Sequence, residues 1–584
     1  NRMKSLSYLN KYFIKYKWRF LLGILFIVIS NYFGVQMPLY VKTTIDSLLT
    51  ETPVNGLNDA LFLSLKIGGI YMLLSLGSGF FLFLTRQTII IMSRLIEYDL
   101  KNEIYKQYQQ LDYSFYKKNA TGDLMNRISE DVSQVRMYLG PGIMYTINLI
   151  ALFGLVIYQM VHISPSLTLF VLIPLPIMSF LIYKVSSKMN KLSKEVQAEQ
   201  SFMSTMVQET FAGIRVLKAY SREKEVHTKF NVSATTYKAK NMRLVIVNAF
   251  FMPTIVFLIG LSTLLSIYLG GIMTYDKSIS LGGILAFIFF VNKLTWPFAS
   301  IGWVTSINQR ASASQSRINE FLQIKPTITY PKEKPFHFQG KIEFRDVSFT
   351  YENSGIEAIH KLSFTLNPGE TLGIVGRTGS GKSTILNLLM RQFDVESGEI
   401  LIDDQPIKTL NLSDFRNQTG IVPQEVFLFS DSIANNIRFG STAETVSQEE
   451  IFSAAKKAHV YDNIMGFPSK FETLLGERGV NLSGGQKQRL SIARALIRNP
   501  KLLILDDCLS AVDTETEEII LSNLKETTKS NTCLIVSHRI SSLRNADRII
   551  VIEDGRKIEE GAHDQLLAAG GMYAEIYLKQ LTEE

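Results

Sequence analysis

The 584-residue sequence predicts a membrane all-α domain of six transmembrane helices with long polar extensions, followed by an α/β domain on a largely parallel sheet. Three observations predict this. The first half contains long stretches without Asp, Glu, Lys or Arg, and the second half alternates short apolar runs with helical ones. Charge also divides between the halves, net +16 over residues 1–325 and net −8 over residues 326–584. At 46% hydrophobic and 20% charged residues, the chain has far too much apolar surface to stay disordered. Its basic half is also its greasy half, so the lipid bilayer, with its acidic headgroups, is the expected partner of that charge, and no nucleic acid is. The two cysteines, Cys508 and Cys533, cannot make a disulfide framework or a zinc site, which fits a reduced, cytosolic setting for their part of the chain.

The spans follow in order. Phe20–Val41 is free of charge for 22 residues and Ile67–Thr85 for 19. Met137–Tyr183 is free for 47, split into two spans by the turn-like His162-Ile163-Ser164-Pro165-Ser166. Leu244–Tyr275 gives 32 more, and Ser278–Gln309 carries Lys293 as its only charge. About 20 apolar residues cross a bilayer core as a helix, so the count is six. The first span is too long for a cleaved signal peptide and lacks a small-residue cleavage site. Basic residues set the orientation: six Lys/Arg in the first 19 residues, eight in 86–136 and twelve in 184–243, against two or fewer in the short loops between. Both termini and the two long loops are therefore expected on the cytoplasmic side of a multi-pass cell-membrane protein.

The long loops read as helical continuations. Phe202, Met206, Val207, Phe211, Ile214, Val216 and Leu217 recur near the helical period, and Gly122-Asp123 and Ala212-Gly213 mark expected breaks at cytoplasmic tips. Residues 1–325 form the membrane domain; the Pro- and Lys-rich stretch 326–340 reads as a linker, and 341–584 as the second domain. Strand-like runs there are Lys341–Thr350, Thr371–Val375, Leu502–Leu505, Thr532–Val536 and Arg548–Ile552.

Three motifs carry the chemistry. Gly376-Arg377-Thr378-Gly379-Ser380-Gly381-Lys382-Ser383 fits GxxxxGK[ST] between an apolar strand and a helical run, which makes it a P-loop. Its glycines let backbone N–H groups converge on phosphate; Lys382 supplies a cation to the β- and γ-phosphates, and the Ser383 hydroxyl faces Mg²⁺. Thr384 follows in the same cradle. The second domain is thus an α/β P-loop nucleotide-binding domain that takes ATP and Mg²⁺. Leu502–Leu505 ends in Asp506, a carboxylate placed to hold the metal. Asn481-Leu482-Ser483-Gly484-Gly485-Gln486-Lys487-Gln488-Arg489 precedes another apolar helical run and forms a second anion nest. Two phosphate cradles in one domain suggest that two copies share each nucleotide across an interface.

With these motifs in place, the whole chain resembles the ATP-binding cassette exporters, as a half-transporter with six membrane helices and one nucleotide-binding domain. The resemblance implies that Tyr351 stacks on adenine and that Gln424 is the Q-loop residue beside Ser383 and Asp506 at the metal. It makes Gly476-Glu477-Arg478-Gly479 a segment that touches membrane-domain loops, Ser510-Ala511-Val512-Asp513 the D-loop, and His538 the switch histidine sensing the γ-phosphate. Ser483, Gly484, Gly485 and Gln486 would act on the partner's ATP. The implied activity is ATP hydrolysis coupled to alternating access, with tips near Asn119–Gly122 and Phe211–Gly213 transmitting cassette closure.

One position departs from the family pattern. Glu usually follows the Walker B aspartate, and here Asp507 stands in its place, its carboxylate roughly 1.3–1.5 Å nearer the backbone. A weakened base implies one subunit of a dimer with a degenerate ATP site, hence a heterodimer with a second half-transporter; a slow homodimer is the alternative. Lys293, deep in the last span, is the candidate substrate contact, because intramembrane charges face cavities or snorkel. Asn148, Asn248 and Asn292 are expected as hydrogen-bonding glue between helices. The aromatic- and Met-rich membrane half suits a small amphipathic or hydrophobic cargo, a drug, lipid or peptide. With about 19 residues before the first span, a preceding peptidase-like domain is not expected. Six spans argue against a soluble cassette ATPase of the DNA-maintenance kind, and a nucleotide-gated regulator that binds ATP without pumping is the other rival.

Overall fold

A computed structural model describes residues 5–50, 57–331, 334–352, 354–476, 479–510, 512–527 and 531–583. The chain divides into two compact units, one of Asn1–Gln109 with Thr121–Ile324, the other of Gln110–Ala120 with Lys325–Glu584.

The first unit is all helix. Among the described residues, five helices are long and apolar enough to cross a membrane: Lys17–Leu49, Leu61–Gln110, Thr121–Ile163, Glu223–Tyr275 and Leu281–Leu322. The remaining predicted span is helical but broken, as Pro165–Leu172 and Pro174–Ala212. Pro174 has no N–H for the carbonyl of Phe170, so Ile173 N–H donates to it instead, at 3.3 Å. The turn before this segment is capped as its sequence suggests, with Ser164 Oγ accepting from Leu167 N–H at 3.3 Å and Pro165 in the first helical turn. Helices of 50 and 53 residues span roughly 75–80 Å, more than twice the ~30 Å hydrocarbon layer. Their polar ends therefore lie outside it.

The two expected breaks fare differently. The helix Pro174–Ala212 does end before Gly213, and a short helix, Ile214–Ala219, follows. Gly122-Asp123 sits inside the helix Thr121–Asn126, and the break falls just before Thr121, after the short helix Tyr113–Lys118. Asp123 lies in the first turn, where an acid is favoured by the helix dipole, so it marks a start and not an end.

The last membrane helix is central to this unit. Phe287, Phe290, Val291 and Leu294 are buried against Val156, Met160, Leu167, Val171 and Ile255. Its first turn is tied to the first membrane helix by Asp46, which accepts from Ser280 Oγ at 2.7 Å and Gly282 N–H at 3.1 Å and pairs with Lys42. Those bonds satisfy groups that lipid would leave unpaired.

The second unit carries two sheets. Strands β1 (Ile342–Tyr351), β2 (Ile356–Leu366), β4 (Ser397–Ile402) and β5 (Gln405–Pro406) form an antiparallel sheet in the order β2-β1-β4-β5. Strands β3 (Thr371–Val375), β6 (Thr419–Val422), β7 (Leu502–Asp506), β8 (Thr532–Val536), β9 (Arg548–Glu553) and β10 (Arg556–Gly561) form the other, in the order β10-β9-β3-β8-β7-β6. Only β10 runs antiparallel in it. The central strands are covered on both faces, which is why they read as continuous apolar runs. The run Lys341–Thr350, expected in the parallel sheet, instead pairs with β2 in the antiparallel one. The stretch read as a linker contains Phe336 and Phe338, both buried in the second unit's core.

Candidate functional site

The parallel register lines up the chemistry. Ile374 and Asp506 both pair with Val536, and Val422 pairs with Leu505. The residues after β3, β6, β7 and β8 therefore emerge along one edge, at the C-terminal ends of the strands where such sheets bind ligands. Gly376–Ser383, Gln424, Asp506, Asp507 and His538 all lie on that edge.

The P-loop folds as its glycines require. A Cβ at Gly376 would stand 2.2 Å from the Ile552 carbonyl oxygen, and Gly381 combines φ +98° with a Cβ position 2.4 Å from the Ala358 carbonyl oxygen. No other residue fits either place. The helix Lys382–Leu389 starts there and points its free N–H groups into the loop. Lys382 Nζ donates to the carbonyls of Gly376 and Arg377 at 2.8 Å each. Burial lowers its pKa, and the charges of Asp507 and Asp506 act against that shift. The ammonium is thus held at the anion-binding surface with two carboxylates nearby.

Asp506 is half-buried; that burial and then the neighbouring Asp507 charge push its carboxyl up to about 6, against a hydrogen bond from Ser383 and the charge of Lys382. A carboxylate that is costly to ionise, bonded to a hydroxyl beside a phosphate cradle, is a fitting place for a divalent cation. Among the described residues no group of three His, Cys, Asp or Glu gathers to cage a metal.

Asp507 sits at the centre of the constellation. Its backbone is left-handed, φ +46°, and its N–H donates to Val536 O at 2.8 Å. One carboxylate oxygen lies 2.7 Å from His538 Nδ1, and the other accepts from Gln424 Nε2 at 3.2 Å. So the short side chain still reaches both partners. Ser510 Oγ donates to the Asp507 carbonyl at 3.0 Å and contacts Gln488 at 3.4 Å, which links the Walker B turn to the signature helix.

That helix, Gly484–Leu496, begins with a capping box: Ser483 Oγ accepts from Gln486 N–H at 3.3 Å, and Ser483 N–H donates to Gln486 Oε1 at 3.0 Å. Ser483 and Gln486 are therefore bonded to each other, and among the described residues neither bonds to the P-loop of the same chain. Tyr351, at the end of β1, has its hydroxyl 3.1 Å from Thr384 Oγ1 and its ring edge-on to Phe349 and Phe393. Glu477, Arg478 and Ala511 lie outside the described residues. In the membrane unit Lys293 is half-buried beside Gly34, 3.6 Å from where a Cβ there would be. Asn148 does bridge helices, accepting from Asn31 Nδ2 at 2.9 Å. Asn292, with an exposed side chain, donates to the Ile288 carbonyl of its own helix at 2.9 Å and makes no bond to another helix among the described residues.

The sequence matches the ABC transporter transmembrane region over residues 20–298 and the ABC transporter family over residues 359–510. It is 38% identical over 486 residues to "Multidrug resistance-like ATP-binding protein MdlA" of Escherichia coli (strain K12), covering 83% of this chain and 82% of that protein. The chain belongs to the ABC transporter family. This ABC transporter is also 32% identical over 574 residues to "ATP-dependent lipid A-core flippase" of Syntrophus aciditrophicus (strain SB), covering 97% of this chain and 93% of that one. Its fold matches that of a solved bacterial Atm1-family ABC exporter with ATP bound, at TM-score 0.78 and 24% identity over 97% of this chain and 98% of the other. It is a multi-pass membrane protein, a transporter whose cassette hydrolyses ATP to drive transport.

Two features of the transporter's site are absent from the motif reading. The segment Gln110–Ala120, between two membrane helices in sequence, belongs to the nucleotide-binding unit. Lys117 Nζ lies 4.1 Å from the centroid of the Tyr351 ring, and Lys118 pairs with Glu352 at 2.8 Å. The Lys117-Lys118 pair was the sequence signal, submerged among other basic residues. The second feature is the chain's last helix, Met572–Glu583, which meets the backbone around His538.

Proposed function

We propose that this exporter moves a small amphipathic or hydrophobic molecule, a drug, lipid or peptide, out of the cell, as one subunit of an asymmetric dimer. The nucleotide-binding unit and the long helix ends face the cytoplasm, in keeping with the basic residues that flank the spans. The single observation that carries the proposal is the convergence of Lys382, Gln424, Asp506, Asp507 and His538 on one sheet edge, in a chain whose other unit is built of apolar helices.

Each residue has a role that its geometry supports. Residues 376–384 cradle the triphosphate, with Lys382 offsetting its charge. Ser383, Asp506 and Gln424 would hold Mg²⁺, which when bound neutralises charge on the phosphate oxygens. Asp507, a weakened base one methylene short, would orient the attacking water and take its proton only slowly, and His538, hydrogen-bonded to Asp507, responds to the γ-phosphate. Tyr351 offers its ring to adenine. Ser483, Gly484, Gly485 and Gln486, at the start of the helix that Ser483 and Gln486 cap, would present a second helix N-terminus to the nucleotide of the partner subunit. That partner is a second half-transporter carrying Glu where this chain has Asp507.

Lys293 bears on cargo. A lysine half-buried among membrane helices, with no carboxylate paired to it among the described residues, is suited to an anionic headgroup. Lys293→Met keeps length and apolar stem. It is expected to lower the stimulation of ATPase by anionic amphiphiles about tenfold in half-maximal concentration while leaving neutral ones unchanged. An unaltered cargo profile would make Lys293 a structural lysine.

A further inference from the structure

We infer that Gln580, on the last helix of the chain, is the residue that positions His538 against Asp507. The helix Met572–Glu583 is anchored at its start: Glu559 accepts from the N–H groups of Met572 and Tyr573, at 2.5 and 3.1 Å, and the buried Tyr573 hydroxyl lies 2.7 Å from His563 Nδ1. Two turns on, Gln580 reaches the loop after β8. Its Nε2 donates to the His538 carbonyl at 2.6 Å, and its Oε1 accepts from Ile540 N–H at 2.9 Å.

The loop's remaining bonds show why this matters. Ser537 N–H is held by Ile374 O at 3.1 Å, which ties the loop's start to the P-loop strand, and Arg539 N–H is held by Ser537 Oγ at 3.0 Å. The two peptide groups that follow His538 find their partners on Gln580. A carboxamide presents a donor and an acceptor together, so one side chain fixes both peptide planes. Asp in place of Glu makes the demand stricter. A shortened carboxylate meets His538 at 2.7 Å only with the imidazole held in place, and a misplacement of about 1 Å is costly in a reacting site. The same helix sets Glu575 3.4 Å from Arg377 of the P-loop. That pair is exposed and stabilises little, yet it shows the helix running between the two phosphate-facing loops.

The inference rests on the reading of His538 as the γ-phosphate sensor, so the test carries His538→Ala beside Gln580→Leu and Gln580→Glu. All are measured in the full-length chain reconstituted in proteoliposomes without the partner subunit, where the slow turnover comes only from sites that carry Asp507 and His538, for ATP kcat, ATP KM, melting midpoint and hydrogen exchange at Ile540. His538→Ala is expected to lower kcat by about tenfold or more. Gln580→Leu is expected to lower kcat about threefold to tenfold at unchanged KM, with the midpoint within about 2 °C and the Ile540 amide exchanging faster. Gln580→Glu keeps the acceptor for Ile540 but loses the donor to His538, so its kcat falls while the amide stays protected. Wild-type kcat in both Gln580 variants beside a slow His538→Ala would overturn the inference and spare the sensor reading. So would a Gln580→Leu whose kcat falls only in step with its midpoint. Wild-type kcat in His538→Ala would remove the sensor reading and the inference with it.

Discussion

Lys382→Ala is expected to reduce ATP hydrolysis by about 10²–10³-fold and transport to background, with the protein still folded in the membrane. The ammonium is the cation at the cradle, and its removal frees the Gly376 and Arg377 carbonyls to face the phosphates they would repel. It also leaves Asp506 without the positive charge that favours its ionised form. None of this touches the first unit, whose helices pack through Phe287, Phe290 and Val291. Nucleotide binding and ATPase of the purified variant check the expectation, and near-normal turnover would contradict the P-loop assignment.

The second large effect concerns asymmetry. Asp507→Asn is expected to change the turnover of the assembled dimer little, because a base one methylene short contributes little where general-base help is worth about 10²–10⁴-fold. Ser483→Ala should do far more damage, lowering turnover about 10²-fold by weakening the nest that completes the partner's competent site. The capping box that Ser483 makes with Gln486 is worth about 1 kcal/mol, so the helix should survive its loss. Asp507→Glu should raise activity only where the partner's counterpart of the Ser483-Gly484-Gly485-Gln486 nest is sound. The comparison needs the chain with its Glu-bearing partner, since the chain purified alone should hydrolyse slowly. Vigorous cooperative ATPase from a pure homodimer, lost on Asp507→Asn, would make Asp507 a working base.

The sequence is most legible where physics is local. Charge-free runs locate the spans because ionisable groups are costly in lipid, and the P-loop announces itself because Gly376 and Gly381 are sterically irreplaceable. Strands β3 and β8 have the predicted bounds, since buried parallel strands are uniformly apolar between turn residues. What the sequence conceals depends on partners distant along the chain. β1 alternates like any half-buried strand, and its place in the antiparallel sheet is decided by β2 and β4. The hinge at Ile173 hides inside an unbroken apolar run, where only Pro174 and Pro176 signal it. Phe336 and Phe338 look like linker residues because the core that covers them is built from strands that follow. Gln580 belongs to no motif, and only the folded chain brings it to His538, more than forty residues away.

The most direct test is ATP-dependent uptake of a fluorescent amphiphile into sealed inside-out vesicles that contain the transporter and its partner subunit. The account predicts concentrative uptake that requires hydrolysable ATP and is lost in Lys382→Ala vesicles. ATP binding with no uptake, or equal uptake with a non-hydrolysable analogue, would contradict it and leave a nucleotide-gated membrane protein in place of a pump.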